Sequence, residues 1–199
     1  GWSMDAPDFA VIGGGIVGAA VAFGLLERGR RGTVLDAGDT SIRAATANLG
    51  LVWVNGKGRN FPAYQRWTRR SATLWPELCA RLQDATGLRL EYQQRGGLKF
   101  AVGDAEMQKH ANHLAALREQ APDLPDDSEA VDRRAMQELL PGARFGQEVV
   151  GGVFCAADGH VNPLKLWRAL RAALLLKGAD LRTDWPVRAV EAEQGGFVL

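Results

Sequence analysis

Cysteine is scarce in this chain: 199 residues hold only Cys79 and Cys155, far apart and without CxxC spacing. That excludes a disulfide framework and, with no secretory leader legible, points to a reducing, cytoplasmic setting. A dominant charge is missing as well. Lys and Arg total 24 against 23 Asp and Glu, for a formal net charge of +1, and the basic residues are interleaved with acids. No stripe or block of cations is available for a nucleic acid, so the expected partner is a small molecule. Internal repeats and low-complexity tracts are absent too. The Gly-rich turn around Lys57 lacks the following Ser or Thr of a phosphate-binding P-loop. Residues 9–26 carry no charge and are long enough to suggest a membrane span. Five glycines interrupt that run and the preceding Met4-Asp5-Ala6-Pro7-Asp8 is acidic, so the expectation is a buried strand and helix and no transmembrane segment. Gly1-Trp2-Ser3 ahead of Met4 reads as an artificial extension and is excluded from fold reasoning.

The most informative feature present is Phe9-Ala10-Val11-Ile12-Gly13-Gly14-Gly15-Ile16-Val17-Gly18, a GxGxxG loop between an apolar strand and an apolar helix. Gly13 permits the turn out of the strand, Gly15 lets backbone approach a pyrophosphate, and Gly18 lets the helix lie close on the strand. The helix N-terminus points its N–H groups at the phosphates. Gly32-Thr33-Val34-Leu35-Asp36 reads as a second strand ending in an acid, eighteen residues after Gly18, near the spacing of a ribose-binding carboxylate. No Arg directly follows Asp36, which disfavours a 2′-phosphate and hence NADP.

Further along, Gly38 to Gly50 is a run of small and hydroxyl-bearing residues that lets backbone pass close to a ligand, and Leu51–Val54 is a short strand. Helical periodicity begins at Pro62, places Tyr64, Trp67, Leu74, Trp75, Leu78 and Leu82 on one face, and stops at Gly87, with Pro76 starting a second helix or a kink. Strands are expected at 88–92 and 98–102, a helix at 104–119, and another from an N-cap at Ser128 to Leu140. Strand Val149–Cys155, a turn at 158–163, a helix from Pro163 to Lys177 and a strand at 179–183 follow, before a closing strand, Gly-Gly turn and strand. About three parallel strands are too few for a doubly wound sheet, so the chain reads as a fragment, either cut or completed by another polypeptide.

Other constellations are weaker. Glu106, His110 and His113 share a helix face without converging further ligands, so a solvated face is the expectation and no metal site. Cys155, Asp158 and His160 resemble nucleophile parts, but a strand end and an Asp-Gly turn account for them. Lys57 and Arg59 are candidates to meet a substrate carboxylate against the reading of a solvated loop. Trp67, Trp75 and Trp167 sit at core spacing, and Trp53 lies near the cofactor segment.

Three segments together resemble the FAD-dependent D-amino-acid oxidase and glycine oxidase superfamily, the DAO family. They are Val11–Gly18 through Asp36, Arg43-Ala44-Ala45-Thr46-Ala47-Asn48-Leu49-Gly50-Leu51, and Asp158-Gly159-His160-Val161-Asn162-Pro163 with its helix and Gly178-Ala179. The resemblance implies an α/β chain: a Rossmann-like FAD-binding domain, with a parallel sheet and a βαβ unit, formed by residues 4–60 and 151–199. Into it residues 61–150 would insert an incomplete α+β substrate domain. FAD would take a hydride from the carbon bearing an amine, giving an imine that water hydrolyses. Gly13, Gly15, Ile16, Val17 and Gly18 match the pyrophosphate loop. Asp36, with Ala37 beside it, matches the ribose acid, more often Glu in the family. Arg43, Ala44, Thr46, Asn48, Gly50 and Leu51 match the segment along the pyrophosphate and flavin, and Val187 matches the position whose backbone meets the adenine. Gly32 departs from the family's apolar residue, with a weakened strand start expected. No catalytic residue is assigned, because the half that closes the flavin pocket is absent; the isolated chain is expected to show no turnover and weak or no FAD binding.

The expected function is thus the N-terminal portion of a flavin oxidoreductase acting on an amino acid or related amine. Two alternatives stay open: a NAD-dependent dehydrogenase sharing the fingerprint, and a non-catalytic dinucleotide-binding subunit completed by a partner chain.

Overall fold

The computed structural model describes residues 6–38 and 49–199. These divide into two compact units, one of residues 6–38, 49–50, 78–91 and 162–199, the other of 51–77 and 92–161.

The first unit is built on a βαβ start. Strand β1 (Phe9–Ile12) leads through the glycine loop into helix α1 (Ile16–Glu27) and strand β2 (Gly32–Leu35). After helix α5 (Pro163–Leu176), strand β8 (Asp180–Arg182) returns to the same sheet, whose order is β1-β2-β8 with all pairs parallel. Parallel strands need crossovers, and the two apolar helices supply them while burying each other. Ala19, Ala22 and Phe23 of α1 and Leu166, Leu170, Ala173 and Leu174 of α5 are all buried. The Asn162 side chain caps α5 by accepting from Lys165 N at 3.1 Å, Pro163 follows at the first helical position, and Gly178 stands just past the end at φ +81°. A hairpin of β9 (Glu191–Glu193) and β10 (Gly196–Val198) turns at Gly195.

Gly32 opens β2 in register with the first residue of β1. It pairs with Phe9, and a Cβ there would lie 2.0 Å from the Phe9 ring. The missing side chain is the space the ring occupies. Because Phe9 is half-buried and can swing, Gly32→Ala should cost only about 1 kcal/mol. Combined with Phe9→Leu that cost should vanish, a coupling that a double-mutant cycle by thermal unfolding would measure; additive losses would contradict this packing.

The second unit centres on an antiparallel sheet, β4-β6-β5. Its strands are β4 (Gly97–Val102), β5 (Ser128–Asp132) and β6 (Val149–Cys155), with helices α3 (Gly103–Gln120) and α4 (Arg133–Leu139) in the connections. A two-stranded ribbon pairs β3 (Leu51–Val52) with β7 (Gly159–His160). Helix α2 (Pro62–Thr86) contributes residues to both units.

Several local expectations change. Pro76 lies inside α2, which runs on through it, so no second helix starts there. Ser128 is no helix cap but the first residue of β5, paired with Cys155; the cap is Asp132, whose carboxylate accepts from Ala135 N at 2.8 Å. Segment 88–92 is not a strand, for Glu91 takes φ +56° and breaks the extended run. A boundary at 150/151 would fall inside β6, which is bonded on both sides within the second unit. Trp67 is 71% exposed, not core.

Candidate functional site: the glycine loop and its carboxylate

The loop after β1 is fixed by three hydrogen bonds that its own geometry demands. Gly13 sits at φ +102°, a conformation open to glycine, and its N–H donates to Leu35 O at 2.8 Å, fastening the turn to the end of β2. Gly14 N donates to Asp36 Oδ1 at 3.2 Å. The Gly14 carbonyl accepts from the indole Nε1 of Trp167 at 2.9 Å. Gly18 faces back onto the turn so closely that a Cβ would lie 1.8 Å from Gly13 O. Helix α1 therefore begins directly over the loop. Its N-cap, Gly15, has no side chain to bond the first turn, and no acid stands in that turn. The N–H groups of the first turn have no intrahelical acceptor, so they and the positive end of the helix are offered to an anion.

Asp36 is 4% exposed, immediately beyond β2. Its backbone is held on both sides, Asp36 N donating to Arg182 O at 2.9 Å and Trp185 N to Asp36 O at 2.8 Å. Val187 follows two residues after that anchor, half-buried in the irregular run between β8 and β9. Gly13, Gly15, Gly18 and Asp36 are thus brought together. Ile16 is half-buried, while Val17 and Ala37 point outward. Gly50, at φ +70°, closes the first unit's N-terminal stretch, and Leu51 opens the second unit in β3. Arg43, Ala44, Thr46 and Asn48 lie outside the described residues.

Two residues missed by sequence reading belong to this site. Trp167 counted as core by spacing, but its indole also holds the loop's carbonyl, and the Arg171 guanidinium lies over its ring at 4.6 Å. Trp185 supplies the backbone N–H behind Asp36. A buried Trp needs an acceptor for its N–H, which was the available signal for the first; the second leaves none.

Elsewhere the candidate chemistry dissolves into structure. His110 and His113 are not a solvated face: their Nε2–H groups donate to Phe100 O at 3.1 Å and Gly56 O at 2.9 Å. Among the described residues no three His, Cys, Asp or Glu gather as metal ligands. Burial pushes the Cys155 thiol up to about 11, its sulfur 3.8 Å from Asp127 Oδ1, and His160 is exposed with its backbone bonded to Gln93. A thiol held protonated near neutrality is not a nucleophile. Lys57 and Arg59 are exposed, with Lys57 at the edge of a cavity of about 230 Å³.

The loop, the uncapped helix and the buried acid suit a dinucleotide: pyrophosphate against the first-turn N–H groups, ribose hydroxyls toward the carboxylate. Residues 8–199 match the DAO family, described as FAD dependent oxidoreductase. An opine oxidase subunit from Agrobacterium tumefaciens (strain Ach5) is 40% identical over 192 residues, covering 96% of this chain and 51% of that protein. Its namesake from Rhizobium meliloti is 36% identical over 96% of this chain and 51% of its own. The crystal structure of glycine oxidase from Geobacillus kaustophilus superimposes with a TM-score of 0.82 at 23% identity, over 96% of this chain and 50% of that one. The chain spans about half the length of the curated relatives it matches. No helix of the described residues is long and apolar enough to cross a membrane.

Proposed function

Because the chain belongs to the DAO family of FAD dependent oxidoreductases, we propose that it is the FAD-binding portion of an enzyme that oxidises an opine or related amino-acid amine. The observation that carries this reading is the glycine loop locked onto Asp36 and Trp167, in a chain 40% identical to one of the subunits of an opine oxidase. Gly13, Gly15, Ile16, Val17 and Gly18 hold the pyrophosphate, Asp36 and Ala37 meet the ribose, and Val187 presents backbone to the adenine. Gly50 and Leu51, with Arg43, Ala44, Thr46 and Asn48 before them, line the flavin side. The flavin supplies the chemistry, accepting a hydride from the carbon beside the amine nitrogen. This chain's residues bind and orient it.

The domain reading is part of the same proposal: the first compact unit carries the cofactor, the second belongs to the substrate side. Alone, these 199 residues turn over no amine, since they span about half of each such relative. The name of those relatives supports a companion chain for the whole protein, and the two scattered free cysteines are what speaks for a cytoplasmic setting. The test is the full reading frame, purified with and without its companion. Heat-released cofactor should have the mass of FAD, and an opine added without oxygen should bleach the flavin band where glycine does so weakly. A released NAD, or a flavin indifferent to every amine, overturns the reading. The 199-residue chain should be colourless, and a stoichiometric yellow protein would refute its incompleteness.

A further inference from the structure

Helix α2 carries Arg66, Arg69 and Arg70 on one side, with Thr73 a turn further on. All four line an open cleft of about 550 Å³ within the second unit. That is the size of a small-molecule site. Most of the remaining lining is apolar, with Val54, Pro76, Leu124 and Pro125 among it, and Gln94 and Asp127 are its polar members.

Two of the arginines are spent. Arg66 makes a bidentate pair with Asp123, both bonds 2.8 Å, and Arg69 does the same with Asp127 at 2.8 and 2.6 Å. Planar fork-to-fork pairing engages each guanidinium with a carboxylate in the preferred bidentate geometry and balances its charge. The Asp127 carboxyl is held below its usual range by Arg69 despite the cost of its burial, so it remains charged and engaged. Among the described residues, Asp127 is also the only acid on the cleft wall. Arg70 has no carboxylate partner among the described residues, so the cleft carries one uncompensated cation beside an apolar surface.

We propose that this cleft binds a small organic carboxylate with an apolar body, its carboxylate on the Arg70 guanidinium and its body against Leu124, Pro125 and Pro76. Arginine favours carboxylates through the same planar fork that its two neighbours already use. The neutral pairs on either side keep the cleft from competing for the ligand with a free acid, and they fix the loop bearing Leu124 and Pro125 as a formed wall. This cleft is built from the second unit alone, the glycine loop belongs to the first, and the proposal does not rest on the flavin reading.

The probe is 4-phenylbutyrate, titrated into the protein of the full reading frame and followed by calorimetry and by NMR of the arginine Nε–H groups. Millimolar binding is expected, with the Arg70 signal shifting and 4-phenylbutanol weaker by up to about fivefold, the worth of one exposed charge pair. Arg70→Gln should lose the same factor with unchanged melting temperature, because the side chain is exposed and holds nothing in place. Arg70→Lys should fall between. Equal binding of acid and alcohol, an unaffected Arg70→Gln variant, shifts mapping outside the cleft, or no binding at all would each overturn the proposal.

Discussion

Gly18→Ala should cost about 3 kcal/mol of stability, at the upper end for overpacking, and lower FAD affinity of the whole protein by at least about a hundredfold. The reason is where the added methyl must go. It would lie 1.8 Å from the carbonyl oxygen of Gly13, and 3.2 Å from Cγ1 of Val11. A backbone oxygen cannot swing aside as a ring can. Gly13 is pinned by its own bond to Leu35 O and holds a backbone conformation, φ +102°, that is open to glycine. Relief therefore requires α1 to lift from the turn, which pulls Gly14 away from both Asp36 and the Trp167 indole. Those are the contacts that hold the first-turn N–H groups at the mouth of the loop. Gly24→Ala, in the same helix, is the control. A Cβ there meets only Arg28 Nη1, at 3.8 Å, and alanine should stabilise the helix by about 0.5–1 kcal/mol. Thermal unfolding of the two variants, with flavin retention beside it, reads the difference. If Gly18→Ala melts with Gly24→Ala, the close approach is not what the third glycine is for.

How much of this was legible in the sequence depended on how local the determining physics is. The βαβ start was, because a turn, two apolar segments and an acid at the end of a strand are all encoded within 28 consecutive residues, Phe9 to Asp36. Helix α5 was too, since Asn162, Pro163 and Gly178 are local signals at its two ends. Sequence reasoning failed where a distant partner decides. Residues 128–132 read as a helix start, yet β6 recruits them as an edge strand and the cap moves to Asp132. Residues 88–92 alternate like a strand, but Leu90 is buried with its N–H on Gln83 Oε1, and Glu91 turns to meet Lys165 and Asn162. Gly32 looked like a defect until Phe9 stood opposite it. The same holds at the site: Gly13 and Asp36 announce themselves, while the indole that fixes their loop comes from 153 residues away.

Asp158→Ala should lower stability by about 3 kcal/mol, near 6–12 °C in melting temperature for a chain this long. The Asp158 side chain is wholly buried, and Oδ1 accepts from Val54 N at 2.8 Å and Asn55 N at 3.1 Å. Alanine leaves both donors buried without an acceptor, directly after β3 and only a few residues beyond Gly50 and Leu51. Hydrogen exchange at Val54 and Asn55 should accelerate most; unchanged protection there would disprove the assignment. The other oxygen, Oδ2, has no hydrogen-bond partner among the described residues, and it sits where a Cβ on Gly97 would come within 2.5 Å. Burial pushes this carboxyl above its ordinary value, only partly opposed by the two N–H donors. A carboxyl that binds its proton more tightly folded than unfolded gives stability that is complete below the unfolded value of 3.8 and is lost as pH rises through the raised folded one. Asp123, held at about 2 chiefly by its hydrogen bonds to Arg66, has the opposite sign: its contribution is present above 3.8 and is lost as pH falls through about 2. The two effects therefore separate along the pH axis. Asp158→Asn keeps an oxygen for Val54 and Asn55 but cannot ionise, so its deficit relative to the native chain should shrink from pH 4 to neutrality. A deficit constant across that range would mean that Asp158 ionises as freely folded as unfolded, despite its burial.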